Sequence, residues 1–207
     1  MMLPNSQLLH FLFSGFYLLF LIERGYFQAR AMRISGEATN IKANKRKLII
    51  VVSLFLLAQL WVFGSFIFIV KPTLMAWTHL PLPTWAQWSG MSLSLAGMAL
   101  EFYTQLTLGR NYSSTVHISN EHTLNTNGPY QYLRHPMYTA LITVGIGLGL
   151  ISASWYFLLP FILTAIVIIF RIPREEAALI DKFGDEYINY VKKTGRFLPR
   201  KKSHNPG

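Results

Sequence analysis

A chain of 207 residues in which 52% of the side chains are hydrophobic and only 14% are charged falls well below the roughly one-quarter charged content of soluble domains, so lipid replaces water over much of its surface. The net charge of +10 does not point to nucleic acid, because Lys and Arg flank the apolar runs and fill the tail rather than forming a surface that tracks phosphates. With no cysteine in the chain, disulfides, thiolate nucleophiles, Cys-ligated zinc and iron–sulfur clusters are excluded.

Taken in order, the apolar runs predict an all-α, polytopic membrane protein with about five transmembrane helices, each needing roughly 20 apolar residues. Leu8–Ile22 is short, and Glu23–Phe27 extends it. It lacks a basic leading region and a small-residue cleavage site, so it is expected to be a retained span and not a signal peptide. Leu48–Val70 is the clearest span, interrupted only by Ser53, Gln59 and Ser65. A brief loop punctuated by Pro72, Pro81 and Pro83 leads to a third run, Trp85–Leu106, with Glu101 and Gln105 near its end. Met137–Ile151 and Trp155–Phe170, split by Ser152, Ala153 and Ser154, predict a tight helical hairpin. From Arg171 the character changes. Leu179, Phe183, Tyr187 and Tyr190 recur at helical spacing among charges, which predicts an amphipathic C-terminal helix lying on or folding back to the membrane face. The chain thus reads as a single membrane domain over 1–207: three N-terminal spans within 1–106, then a region at 107–199 that holds the hairpin and the tail helix.

The loops fix the expected orientation. Seven Lys and Arg residues lie in Glu23–Lys47, two in Leu108–His135 and nine from Arg171 onward, against one in Lys71–Thr84. Five crossings place the first three segments on one side, and the positive-inside rule makes that side cytoplasmic. The C-terminus is then inside and the N-terminus outside.

Three polar or aromatic clusters lie on this basic side: Leu108–Leu124, Gly128–Tyr138 and Arg171–Pro199. Ionisable residues at a membrane boundary are costly to place, so their concentration marks a candidate site. In the second cluster, Gly128-Pro129 signals a turn. Pro136 suits the first turn of the following helix, where its missing N–H costs nothing, and this would hold His135 at the helix N-terminus. Tyr130, Tyr132 and Tyr138 offer flat faces suited to an aromatic ring or a cation. Read without that function, the same residues form an interfacial aromatic belt with a positive-inside Arg134. In the third cluster, Arg171 and Glu175 share a helical face if the helix runs through Pro173, with Glu176 one step round. A solvated surface ion pair is the alternative there.

Other patterns carry no chemistry. Gly145, Gly147 and Gly149 mimic a nucleotide-binding glycine loop, but they lie inside an apolar run, so close helix packing is the expected role. The six histidines have no metal-ligand spacing, and no metal site is expected.

Together, the clusters resemble the isoprenylcysteine carboxyl methyltransferase family. That family shows an LG-x-x-[FYW]-S segment, a His-x-Leu, G-x-Y-x-x-x-RHPMY, a helical hairpin and R-x-x-x-EE-x-x-L-x-x-x-FG-x-EY. This chain carries Leu108-Gly109 with Tyr112-Ser113, His122 and Leu124, then Gly128, Tyr130 and Arg134 through Tyr138. It ends with Arg171, Glu175-Glu176, Leu179, Phe183-Gly184 and Glu186-Tyr187. The likeness covers residues 106–199, and the first three spans match in character only.

The resemblance implies S-adenosyl-L-methionine as cofactor, held by His122, Leu124, Tyr130, His135, Pro136, Tyr138 and Glu176. It implies Arg171 and Glu175 where methyl donor and acceptor meet. The implied reaction is O-methylation of the carboxylate of a lipid-substituted substrate, such as an isoprenylcysteine or a prenylated peptide, that reaches the site sideways from the bilayer lipids. Ala140 departs from many members of the family and is expected to reshape the wall of the cofactor tunnel. Two alternatives keep the fold: methylation of a phospholipid amine or small thiol, in which Glu175 becomes a base, and a non-catalytic membrane scaffold. A nicotinamide-dependent membrane reductase is a further alternative, disfavoured by the few basic residues in the first two clusters.

Overall fold

A computed structural model describes residues 4–35, 59–108 and 123–200. Among these the secondary structure is helical, with no strands. The elements are α1 (Pro4–Ser35), α2 (Gln59–Val70), a 3-10 turn at Pro72–Thr78, α3 (Thr84–Leu108), a 3-10 turn at Gly128–Gln131, α4 (Pro136–Ser152), α5 (Trp155–Phe183) and α6 (Asp185–Lys193). The expected hairpin is α4 and α5, and α4 begins at Pro136 with His135 as its N-cap.

Among the described residues, two helices are long and apolar enough to cross a membrane, Gln7–Phe27 within α1 and Trp155–Phe183. A third candidate is α2 with the 3-10 turn, bent by 119° where Pro72 enters. The apolar α4 has 17 residues. The Leu48–Ala58 half of the second expected span lies outside the described residues.

One expectation fails in detail. The composition change at Arg171 does not end a helix: α5 continues through Pro173 to Phe183 as a rod of 29 residues. The amphipathic tail helix is instead the nine-residue α6, which buries Tyr187 and Tyr190 while its first and last turns carry Asp185, Glu186, Lys192 and Lys193. Gly184 separates the two helices at φ +53, a backbone conformation in which glycine meets no Cβ penalty.

Aromatic packing binds α1, α2 and α5. Phe13, Tyr17, Phe20, Phe68, Phe157 and Phe161 form one buried cluster with Val144, Leu148 and Ile151 of α4. The Phe13 and Phe157 rings meet edge to face at 4.6 Å. The Tyr17 hydroxyl donates to Ser65 Oγ at 2.9 Å, pairing two polar groups that would otherwise be orphaned in an apolar interior.

The antiparallel α3–α4 contact depends on small residues, which let backbones approach closely. A Cβ on Gly90 would come within 2.7 Å of the Gly147 carbonyl, and one on Gly97 within 2.7 Å of Val144. Gly145 faces Phe161 and Gly149 faces Leu158, both on α5. The glycine run is therefore a packing surface on two sides. Ala140 is fully buried, and its backbone carbonyl lies against Gly97 of α3.

These contacts sort the molecule into two ends. The turn between α4 and α5 carries Ala153 in the left-handed region at φ +46 and meets the segment before α3. There Ser154 Oγ donates to Thr78 Oγ1 at 2.7 Å and Leu80 N–H donates to the Ala153 carbonyl at 2.7 Å. At the other end α1 and α3 are joined by an ion pair, Arg24 to Glu101 at 2.8 Å, and α4 and α5 by the Tyr138–Glu175 hydrogen bond.

Candidate active site

The second end gathers the charged and aromatic residues. Arg171 and Glu175 share a face of α5, with Nε and Oε2 3.8 Å apart, because the helix runs unbroken through Pro173. Glu175 Oε2 also accepts from the Tyr138 hydroxyl at 2.8 Å. Tyr138 in turn stacks on His135, with ring centroids 5.6 Å apart and planes 17° from parallel. Four residues placed together by the sequence reading thus form one chain of contacts across the α4–α5 hairpin. Arg171 and Glu175 are partly exposed, at 38% and 28% of their side chains, so this pair meets the surface while His135 is buried.

Glu176 occupies the other flank of α5 and ties three segments together. It accepts from Arg134 Nε at 3.0 Å, from His135 Nε2 at 3.3 Å and from the Arg196 guanidinium through Nε and Nη2. Arg134 also donates to the Val191 and Thr194 carbonyls at 3.2 and 2.6 Å. The segment after α6 then runs beside the turn before α4. Gly195 N–H donates to the Tyr132 carbonyl, Arg134 N–H to the Gly195 carbonyl and His135 N–H to the Arg196 carbonyl, and Thr139 Oγ1 donates to the Phe197 carbonyl at 3.0 Å. The tail is in this way a strap over the α4 N-terminus.

Burial draws the His135 ring below its ordinary pKa, more than the neighbouring carboxylates Glu175 and Glu176 raise it. The ring is therefore neutral near pH 7. A carboxylate only accepts, so the His135 proton sits on Nε2 toward Glu176 and leaves Nδ1 as an acceptor. Burial also pushes the Tyr190 hydroxyl up to about 12; it donates to the Tyr130 carbonyl at 2.7 Å and fixes the Gly128–Gln131 turn. A consequence for stability follows. The depressed His135 pKa in the folded state means the unfolded chain binds the proton more readily, so the contribution is complete above pH 6.5 and is lost as pH falls below it. The thermal midpoint in detergent is expected to drop on acidification from pH 7 to 5, with a smaller drop for His135→Asn. Equal drops in both proteins would remove His135 as the cause.

The remaining expected cofactor residues are distributed unevenly. Pro136 is buried, and Leu124 and Tyr130 are half-buried. His122 lies outside the described residues. The sequence reading missed Arg134 and Arg196 as ties, having read Arg134 as a topology signal. It also missed the Arg24–Glu101 pair, although an acid and an amide inside the third apolar run, Glu101 and Gln105, were the available sign.

The fold and site together define an integral membrane protein, helical over its described residues, with a cluster of charged and aromatic side chains at one end of a helical hairpin. Residues 90–181 match the model of the isoprenylcysteine carboxyl methyltransferase (ICMT) family. It is 34% identical over 129 residues to the protein-S-isoprenylcysteine O-methyltransferase of Xenopus laevis, covering 56% of this chain and 41% of that protein. The Homo sapiens protein of the same name is 31% identical over 126 residues, covering 59% and 44%. The matched stretch thus spans less than half the length of these relatives. A solved structure of the eukaryotic intramembrane Ras methyltransferase ICMT aligns over 95% of this chain and 68% of its own, with a TM-score of 0.59 and 25% identity.

Proposed function

We propose that this protein is an S-adenosyl-L-methionine-dependent methyltransferase that O-methylates the carboxylate of a lipid-substituted substrate such as an isoprenylcysteine. The observation that carries the reading is the Arg171–Glu175–Tyr138–His135 chain at the mouth of the hairpin, all four residues lying within the matched segment 90–181. The chemistry of this cluster fits the cofactor: the stacked flat rings of His135 and Tyr138 suit an adenine, and the Glu175 carboxylate suits a cation. Tyr130, His135, Pro136 and Tyr138 would hold it, with Leu124 and His122 from the connecting segment. Bound there, it supplies an electrophilic methyl group on a sulfonium, whose positive charge cancels against an acceptor carboxylate during transfer.

The protein's own work is positioning. An acceptor carboxylate with a free pKa near about 4 is already ionised at neutral pH, so no side chain must remove a proton. Arg171 presents a planar fork that matches a carboxylate in two parallel hydrogen bonds. Glu175, oriented by Tyr138, keeps Arg171 on the reacting side. Glu176 acts on the cofactor pocket through His135 and Arg134. Radiolabelled methyl transfer into prenylcysteine analogues, phosphatidylethanolamine and small thiols tests the reading, and label in the amine or thiol alone would overturn it. On the same reading, purified wild-type protein binds S-adenosylmethionine in calorimetry and folded His135→Ala loses at least about tenfold in affinity, roughly 1.4 kcal/mol. Unchanged affinity would take His135 out of the cofactor site.

For the whole chain we infer one membrane unit with five crossings and the site and C-terminus cytoplasmic. Support comes from the two ends: the basic segments meet at the Arg24, Arg134 and Arg171 end, and the lone Lys71 precedes the turn at the other. A reporter fused after Pro199 and active only outside the cytoplasm should stay silent; a signal would refute this orientation.

A further inference from the structure

A second polar cluster lies at the same depth, across α4 from the Tyr138–Glu175 contact. Gly90 of α3 lies against Gly147 and Ile151 of α4, and Gly97 lies against Val144 and Ala140. Carrying this antiparallel register one to two turns further brings Glu101 level with Tyr138, and Thr104 and Gln105 level with His135. Ala140 and Val144 face α3, whereas Gly145 faces Phe161 and Tyr138 reaches Glu175, both on α5. The α3 residues are therefore on the opposite side of α4 from the pair that Arg171 and Glu175 form.

Glu101, Thr104 and Gln105 are 1%, 0% and 2% exposed. They sit four and three residues apart, on one helical face. Arg24 of α1 pairs with Glu101 Oε1 at 2.8 Å, and Glu23 interacts electrostatically with both. Four side-chain atoms here are buried without a hydrogen-bond partner: Glu23 Oε1, Glu101 Oε2, Thr104 Oγ1 and Gln105 Nε2. An orphaned buried polar atom costs about 1–3 kcal/mol, more if charged, so four within about one helical turn of the Arg24–Glu101 pair are not what a purely structural interface retains. Two are carboxylate oxygens, which only accept; the amide nitrogen only donates and the hydroxyl donates as well. Two carboxyl groups share the single guanidinium of Arg24 here.

We propose that Glu23, Glu101, Thr104 and Gln105 form a binding site for a zwitterionic head, a primary ammonium close to an anionic oxygen. The ammonium donates to the spare carboxylate oxygens of Glu23 and Glu101. The anionic oxygen accepts from the Gln105 amide and the Thr104 hydroxyl. Two molecules at this membrane boundary offer that chemistry: the amino-acid end of the methyl donor, an option that rests on the methyltransferase reading, and the headgroup of an aminophospholipid, which does not.

The test uses the full chain in nanodiscs, with Thr104→Val and Gln105→Met as near-isosteric variants and Glu23→Gln as a charge variant. In phosphatidylcholine discs without added ligand, the first two remove an orphaned group and are expected to melt no lower than wild type. Binding then separates the sources. If the head belongs to the methyl donor, affinity for S-adenosylmethionine falls about tenfold or more in each variant, as expected for losing one hydrogen bond to a charged group. A deaminated analogue then binds the wild type and Glu23→Gln alike. If it belongs to the lipid, phosphatidylethanolamine raises the wild-type melting midpoint and the variants lose that rise. Variants that melt normally with both responses unchanged would overturn the proposal. A wild type that binds no S-adenosylmethionine would sink the methyltransferase reading, and the phosphatidylethanolamine response alone would then decide the zwitterion site.

Discussion

Replacing Arg171 by lysine is expected to lower the methylation rate by about a hundredfold, because losing the fork misplaces the reacting groups by about an ångström. Stability should hardly move. The Arg171–Glu175 separation is 3.8 Å and both side chains are partly exposed, so water solvates whichever partner is left. Exposed pairs of this kind are worth only about 0–1 kcal/mol. Glu175→Gln keeps a group that can accept the Tyr138 hydroxyl, so it should retain the pocket's shape and lose only its charge. The paired comparison discriminates between acceptors. With a carboxylate acceptor, Arg171→Lys is the more damaging change, and the rate shows no rising limb near neutral pH from acceptor deprotonation. A nearly fully active Arg171→Lys beside a dead Glu175→Gln, with rates that climb with pH, would mean the acceptor is an amine or thiol.

Glu176→Ala should produce the opposite pattern, a large loss of stability. Arg134 and Glu176 are 10% and 13% exposed, and removing one partner of such a pair leaves an uncompensated charge, at a cost of about 3 kcal/mol or more. For a chain of this size that corresponds to a fall of roughly 6–12 °C in the thermal midpoint. The loss should not stay local. Glu176 holds the Arg134–His135 turn and Arg196 of the strap, so protease cleavage after Arg196 should accelerate in the variant. Glu176→Gln, which keeps an acceptor, should fall between. A midpoint within about 1 °C of wild type for Glu176→Ala would mean the tie is not structural, since each kcal/mol moves a chain of this size by roughly 2–4 °C.

What could be read in the sequence was what depends on short spacing. The hairpin followed from two apolar runs around Ser152–Ser154, the α4 start from Pro136, and the Arg171–Glu175 face from a separation of four. The Glu176 ties to Arg134 and Arg196 span 42 and 20 residues, and Arg24 meets Glu101 across 77. Such pairings exist only once helices have packed, and no local period encodes them. The α5 boundary failed for a related reason: at Arg171 the surroundings of the helix change from lipid to polar groups, while residues such as Arg174, Glu175, Glu176 and Ala177 still favour helix, so hydropathy breaks where the backbone does not. Among the described residues, length and composition support two spans directly, Gln7–Phe27 and Trp155–Phe183, and α4 with its 17 residues is shorter than a bilayer-spanning helix.

The unbroken α5 also acts as a ruler. From Trp155 at the far turn to Arg171 the helix rises about 24 Å, and the rod has no loop in which an altered length could be absorbed. Inserting a single residue anywhere in Phe161–Phe170 would lift Arg171 by about 1.5 Å and swing it about 100° around the axis. The pair would then point at lipid or into α4. Homologues of this chain should accordingly vary in α5 by substitution and keep its length fixed, and any engineered change of membrane thickness would have to be made in the far-side turns.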